Sequence, residues 1–211
     1  MIKFEYKLAP ISYDVKVMHR YLNPGKRDWD WSFYIICHYH ELNKGDSKAR
    51  IKRFVTQFRK KNKEKILNKM NEFKKSFGKI SDKVVLALMD ILELKKTKID
   101  KLTILISSSP INPYDLRKRN FSIYFELSID SMIAIAIHET SHFLFFERWM
   151  ELFPKTKIRD CDPPSMIWYL SELIAPVILK DKRIQAIFKY PHRPYKEFER
   201  LIIEGKPITE I

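Results

Sequence analysis

The sequence predicts one α+β domain over residues 1–211, mainly helical in its first hundred residues, and three observations carry that reading. Apolar residues recur at helical spacing through a long basic segment. Short runs of β-branched and aromatic residues, bounded by turn formers, read as strands. A helix that is apolar almost all round then carries two histidines four residues apart.

Taken in order, residues 2–8 and 31–38 read as extended, the second for its aromatic and β-branched content, with Asn23-Pro24-Gly25 as the turn between them. From Asp46, an N-cap residue type, to Phe77, the residues Ile51, Phe54, Val55, Phe58, Ile66, Leu67, Met70, Phe73 and Phe77 keep helical spacing. They predict one long amphipathic helix or two. Ser81 is expected to cap a shorter helix reaching Leu94, and residues 102–107 follow as a buried strand. Turn formers at 109–113 lead into 121–127, where Phe121, Ile123 and Phe125 alternate with Ser122, Tyr124 and Glu126, the pattern of a strand with one buried face. A helix over 130–151, a loop around 160–164, a helix over 165–179 holding Pro176, a short helix near 184–188, a turn at 191–194 and a last helix over 195–203 complete the expectation.

The composition narrows the class. Hydrophobic residues at 45% and aromatics at 13% supply enough apolar surface to offset the entropy of folding, which excludes wholesale disorder. Two cysteines are too few for a disulfide scaffold, so a reduced, cytoplasmic setting is expected. Lys3, Glu5 and Lys7 interrupt the start of the chain, so no secretory signal is read there. The most apolar run, 132–146, is broken by His138, Glu139 and His142 and is shorter than the roughly 20 residues a membrane crossing needs. The formal charge is +14, but 14 Lys/Arg against 3 Asp/Glu fall within residues 44–79. That charge occupies the polar positions of the amphipathic segment, the pattern of a solvated face. With no nucleic-acid motif present, a nucleic-acid-binding module is an alternative rather than the first reading.

His138-Glu139-Thr140-Ser141-His142 is an HExxH pattern. On a helix its two imidazoles project from one face, one above the other, which suits a single metal ion. The glutamate after the first histidine is then placed as a general base that does not ligate. Apolar residues flank the motif on both sides, and burying two imidazoles and a carboxylate without partners costs several kcal/mol. A catalytic zinc takes three protein ligands, and the third is sought downstream. Glu172 is the first choice, because Trp168, Glu172, Ala175 and Leu179 share one helix face and place a carboxylate in an apolar stripe. Asp160, Cys161 and Asp162 are rivals on a loop, and Glu147 lies off the ligand face.

A buried helix bearing His138, Glu139 and His142, with Glu172 on a following helix, resembles the gluzincin clan of zinc metallopeptidases and looks closest to the small minigluzincin type. The resemblance covers roughly residues 102–179. It implies a zincin-like fold, with a small mixed sheet backed by the HExxH helix and a glutamate helix, and residues 101–211 as the catalytic core. It implies Zn2+ held by His138, His142 and Glu172, and peptide-bond hydrolysis by a metal-activated water with Glu139 as general base. The substrate would be a peptide or unfolded protein. The chain departs from thermolysin in a longer gap between His142 and Glu172, in Ser171 where thermolysin has Asn, and in lacking the distal Asp, with Pro176 where an orienting acid might be sought. Glu126, Asp130, Asp160 and Asp162 are therefore the candidates for orienting the ligands. Residues 121–127 are either the rim strand that receives substrate or an internal strand, and Tyr169, His192 and Tyr195 are candidate transition-state donors. A zinc-binding protein without turnover is the runner-up. His38 and His40 read as surface residues, Cys37 as core, and Cys161 as either a thiolate shielding the metal or an inert loop thiol. The sequence leaves the oligomeric state open.

Overall fold

The computed structural model describes residues 1–25 and 30–190, with the backbone of 202–203 and 206–207. It is a mixed α+β structure, with eight α-helices and a four-stranded mixed sheet among the described residues. The chain divides into two compact units of interleaved segments. Residues 3–77 and 101–133 form one, and residues 1–2, 78–100 and 134–211 form the other.

The first unit holds the sheet. β1 (Lys3–Leu8) is followed by α1 (Ile11–Leu22), α2 (Ser32–His38), α3 (Lys48–Lys61) and α4 (Lys63–Gly78), and then by β2 (Lys101–Ser107), β3 (Tyr114–Asp115) and β4 (Asn120–Tyr124). The strand order is β1-β2-β4-β3, with β1, β2 and β4 parallel and β3 antiparallel to β4. β2 lies between two parallel neighbours, so Leu102, Ile104, Leu105 and Ile106 are all buried, the near-continuous apolar run that such a position demands. On β1, Phe4 meets Phe77 and Tyr6 meets Phe73 edge-to-face, at ring-centroid distances of 5.1 and 5.7 Å, which fixes α4 against the sheet.

Four expectations change here: the strand over 121–127, the strand over 31–38, the connection before residue 23 and the cap at Asp46. β4 ends at Tyr124, and its Phe121, Ser122, Ile123 and Tyr124 are all buried, so both faces are covered rather than one. Its backbone is also paired on both sides: Ser122 N–H donates to the Pro113 carbonyl (3.1 Å) and Tyr124 N–H to Asn112 Oδ1 (2.8 Å), so β4 is internal and offers no open rim. Residues 31–38 form helix α2, not a strand. Asp30 Oδ1 accepts the Ser32 N–H (3.2 Å) and hydroxyl (2.6 Å), satisfying a donor of the first turn, and Ile35 is fully buried. Helix α1 fills a stretch read as a connection. The 46–77 segment breaks into α3 and α4 at Asn62, whose side-chain amide donates to the Phe58 carbonyl (2.9 Å), and the cap of α3 is Ser47 rather than Asp46. Lys48, Lys52, Arg53, Lys60 and Lys61 of α3 are exposed, opposite the buried Ile51 and Val55.

A buried ionic cluster holds α1, α3 and β2 together. Asp14, with no exposed surface, accepts bonds from Ser107 Oγ (2.8 Å) and Ser108 N–H (3.0 Å) and pairs with Arg59 Nη2 (2.7 Å). Arg59 also donates to Ser108 Oγ (2.9 Å) and to the Ala9 carbonyl.

The second unit is helical: α5 (Ser81–Ile91), α6 (Ile129–Leu152) from Ala134 onward, a 3-10 turn (Ile158–Cys161), α7 (Met166–Lys180) and α8 (Lys182–Ile187). Ser81 is the first helical residue of α5 and makes no capping bond, whereas Ser165 caps α7 by accepting the Trp168 N–H (3.0 Å). Arg183 bonds Asp90 (2.5 Å) and Asp181 (2.7 Å), tying α5 to α8. Ile202–Ile203 pair antiparallel with Lys206–Pro207, so the expected last helix does not reach Ile203. Its remainder, and the turn at 191–194, lie outside the described residues. No helix among the described residues is long and apolar enough to cross a membrane.

Candidate metal centre

Helix α6 positions the first two functional side chains. Ile133, Ala134, Ala136 and Ile137 before the motif and Phe143, Leu144, Phe145 and Phe146 after it are buried, so the helix has no polar stripe to give to solvent. The small residues inside the motif satisfy themselves locally: Thr140 Oγ1 donates to the Ala136 carbonyl and Ser141 Oγ to that of His138, each at 2.6 Å.

His138 Nε2 and His142 Nε2 lie 2.9 Å apart, with the rings crossed at 85°. Glu172 on α7 faces both. Its Oε2 is 3.5 Å from His138 Nε2 and its Oε1 3.5 Å from His142 Nε2. All three ligand atoms fall within 4.8 Å of one another. A tetrahedral ion with bonds near 2.05 Å needs ligand atoms about 3.3 Å apart, which is the scale of this triangle. Two imidazole nitrogens and one carboxylate oxygen are a donor set suited to zinc and to neighbouring divalent transition metals. The buried group His138, His142 and Glu172 could therefore hold a metal ion.

The electrostatics point the same way. Glu139 Oε2 and Glu172 Oε2 are buried and accept no hydrogen bond among the described residues, so two carboxylate oxygens face this place with nothing donated to them. Burial pushes the Glu139 carboxyl up to about 8, with His138 pulling it down and Glu172 adding to the rise. Burial drives His142 down to about 3, which leaves its imidazole neutral and its lone pair available. On His138 burial acts downward too, but the adjacent Glu172 carboxylate and the charges of Glu139 and Glu172 outweigh it and hold the ring above its ordinary value. Glu172 stays below the usual carboxylate range despite its burial, held there by His142 and His138. The carboxylates that raise His138 would also attract a cation here.

The rival ligands are placed elsewhere or otherwise employed. The Glu147 carboxylate accepts from Thr97 Oγ1 (2.6 Å) and Lys98 N–H (2.5 Å). Asp160 is exposed and accepts the Lys157 N–H (2.8 Å), closing the 3-10 turn. Asp162 is half-buried just after that turn. The Cys161 thiol is buried and pushed up to about 11 by burial and by Asp160 and Asp162, so it is no thiolate near neutral pH. Among the candidate orienting groups, Glu126 is engaged by Tyr124 (2.5 Å) and Lys65 (2.7 Å), and Asp130 sits in the first turn of α6, two turns ahead of His138.

Trp168 lies one turn before Glu172 on α7, and both are buried. Their spacing of four residues was visible in the sequence, where Trp168 counted only toward the apolar stripe. Tyr169 lies half-buried beside Trp168, with ring centroids 4.8 Å apart, while His192 and Tyr195 fall outside the described residues. His38 and His40 are exposed and join no group of three potential ligands among the described residues. Cys37 is exposed rather than core, because its segment is a helix and not a strand. Compared with protein-family models, with characterised proteins and with solved structures, the chain matches none.

Proposed function

We propose that the chain is a zinc-dependent peptidase of gluzincin type with a zincin-like fold, acting on peptides or unfolded protein segments. His138, His142 and Glu172 are its ligands and Glu139 its general base. The reading rests on one observation: three ligand atoms within 4.8 Å of one another, with the unbonded Oε2 of Glu139 on the residue next to the first of them. Zinc held there supplies Lewis acidity, which polarises a substrate carbonyl and makes water acidic near neutral pH. Glu139 accepts the proton of the attacking water at its carboxylate and delivers it to the leaving nitrogen. The apolar flanks of α6 keep bulk water from the carboxylate and so preserve its basicity. The neutral His142 contributes a lone pair without first losing a proton. Two free cysteines are in keeping with a cytoplasmic setting.

The test is cleavage of an unstructured, fluorescently labelled protein by zinc-loaded chain and by Glu139→Gln. The variant should keep its zinc and lose about 10²–10⁴-fold in rate. Equal rates in two zinc-loaded proteins would assign the chain to zinc binding without turnover.

A further inference from the structure

We infer that the corner of the sheet unit formed by α1, α2 and α3 is a docking surface for an anionic lipid bilayer, with Phe33 and Tyr34 seated among the headgroups and the basic residues around them held against lipid phosphates. The surface uses none of the metal-centre residues, and it holds whether or not the chain turns over peptides.

Helix α2 inverts the usual order of burial. Its Ser32 is buried, while Phe33 is 67% exposed, Tyr34 is 49% exposed and Cys37, one turn on from Phe33, is exposed as well. The rings form one cluster: Phe33 meets Tyr34 at 5.9 Å, Tyr34 meets Trp31 at 6.5 Å, and Trp31 stacks on Tyr21 of α1 at 5.5 Å. One exposed apolar side chain is ordinary, whereas contiguous ones mark a surface that meets something. Cations frame this cluster. The Arg20 guanidinium lies 5.6 Å from the Tyr21 ring, and Lys44 pairs with Asp30, the residue before Trp31 (2.5 Å). The first turn of α3 is tied alongside, because Asn23 Nδ2 donates to the Asp46 carbonyl (3.1 Å) and Arg50 Nη2 to the Glu41 carbonyl (2.9 Å). Helix α3 holds no acidic residue. Arg50 pairs with Asp46 just before the helix and Arg59 with the buried Asp14, while Lys48, Lys52, Arg53, Lys60 and Lys61 form no ion pair among the described residues.

The charge and the ring geometry select the occupant. A second copy of the chain, itself at +14, is repelled from this face. A single-stranded nucleic acid would satisfy the cations, but it needs open ring faces on which its bases stack. Here Tyr21 is already contacted by Arg20 and Trp31, and the Trp31–Tyr34 and Phe33–Tyr34 pairs cross at 81° and 70°, so the rings are turned to one another. A bilayer interface makes no such demand. Rings in any orientation enter the boundary between headgroups and acyl chains, where tyrosine and tryptophan keep their polar atoms wet, and lysines and arginines beside them meet the negative surface potential. The contact is peripheral, since no helix among the described residues is long and apolar enough to cross.

In flotation, the full chain should rise with vesicles of phosphatidylcholine mixed with phosphatidylglycerol and stay behind with phosphatidylcholine alone. Phe33→Ser with Tyr34→Ser should weaken that binding about tenfold, and Lys48→Gln and Lys52→Gln about fivefold each. All four side chains are exposed, so each variant should keep the parent's melting temperature within about 2 °C. An environment-sensitive fluorophore on Cys37, which is exposed where Cys161 is buried, should shift to the blue as the parent binds, a readout that needs no variant to fold. Absent binding, equal binding to both kinds of vesicle, full binding by Phe33→Ser with Tyr34→Ser, or no shift at Cys37 in vesicle-bound protein overturns the inference. Tighter binding of a single-stranded oligonucleotide than of the anionic vesicles, lost in that same variant, overturns it too and assigns the face to nucleic acid.

Discussion

Each unit of the molecule buries charged side chains, and it completes them in opposite ways. In the sheet unit Asp14 meets a guanidinium, a hydroxyl and a backbone N–H, all from the chain itself. In the helical unit two carboxylates and two imidazoles converge, and both Glu139 Oε2 and Glu172 Oε2 accept no hydrogen bond among the described residues. A buried charge is tolerated only with a partner. Where the chain supplies the partner the cluster is architecture, and where it leaves carboxylate oxygens unmatched the cluster is a candidate site for a partner from solution. The same burial thus has two meanings, and what separates them is the count of donors per oxygen.

Breaking the self-sufficient cluster should give the larger effect. Asp14→Ala strands Arg59 and should cost about 3–5 kcal/mol, read as a drop of roughly 10 °C in melting temperature, equal in the presence of zinc or of chelator. If chelator changes that drop, the two clusters are not independent. Next in size is the effect of supplying the missing partner. Zinc at about 100 times its dissociation constant should stabilise the parent by about 2.7 kcal/mol, and His138→Ala or His142→Ala should abolish that gain. The same gain in His142→Ala would place the ion elsewhere. The smallest effect concerns the thiols. Iodoacetamide at pH 8 should modify Cys37 and spare Cys161, whose thiol is buried and held near 11, and Cys161→Ser should leave zinc affinity within about twofold. Rapid modification of Cys161, or its protection by zinc, would put it in the site.

The parts legible in the sequence are those whose signal is local. α6 and α7 are long, apolar and regular, and the spacing of His138, His142 and Glu172 along them follows from helix geometry alone. The misread parts depend on remote partners. α2 has a strand's composition but is helical where Ile35 is buried and Asp30 holds the first turn, and composition carries neither fact. α1 shows Ile11, Val15, Met18 and Leu22 at helical spacing, but Asn23-Pro24-Gly25 drew the eye to a turn. The Asp14–Arg59 pair joins residues far apart in the chain and has no motif. Glu172 was one of several acidic choices until Glu147 and Asp160 proved to be engaged by the backbone at Lys98 and Lys157.

The interleaving of the two units bears on how the protein is made. Strand β1 leaves the ribosome about a hundred residues before its partner β2, Lys3 opposite Lys101, and the sheet unit is complete only once residue 133 has been added. At about 5–20 residues per second that interval is on the order of ten seconds. Through it the apolar faces of β1 and α4 have no finished sheet to rest against, and α5, already synthesised, awaits the segment from Ala134 onward that completes its own unit. Nascent chains that end before residue 133 should therefore recruit chaperones that chains extending past it shed.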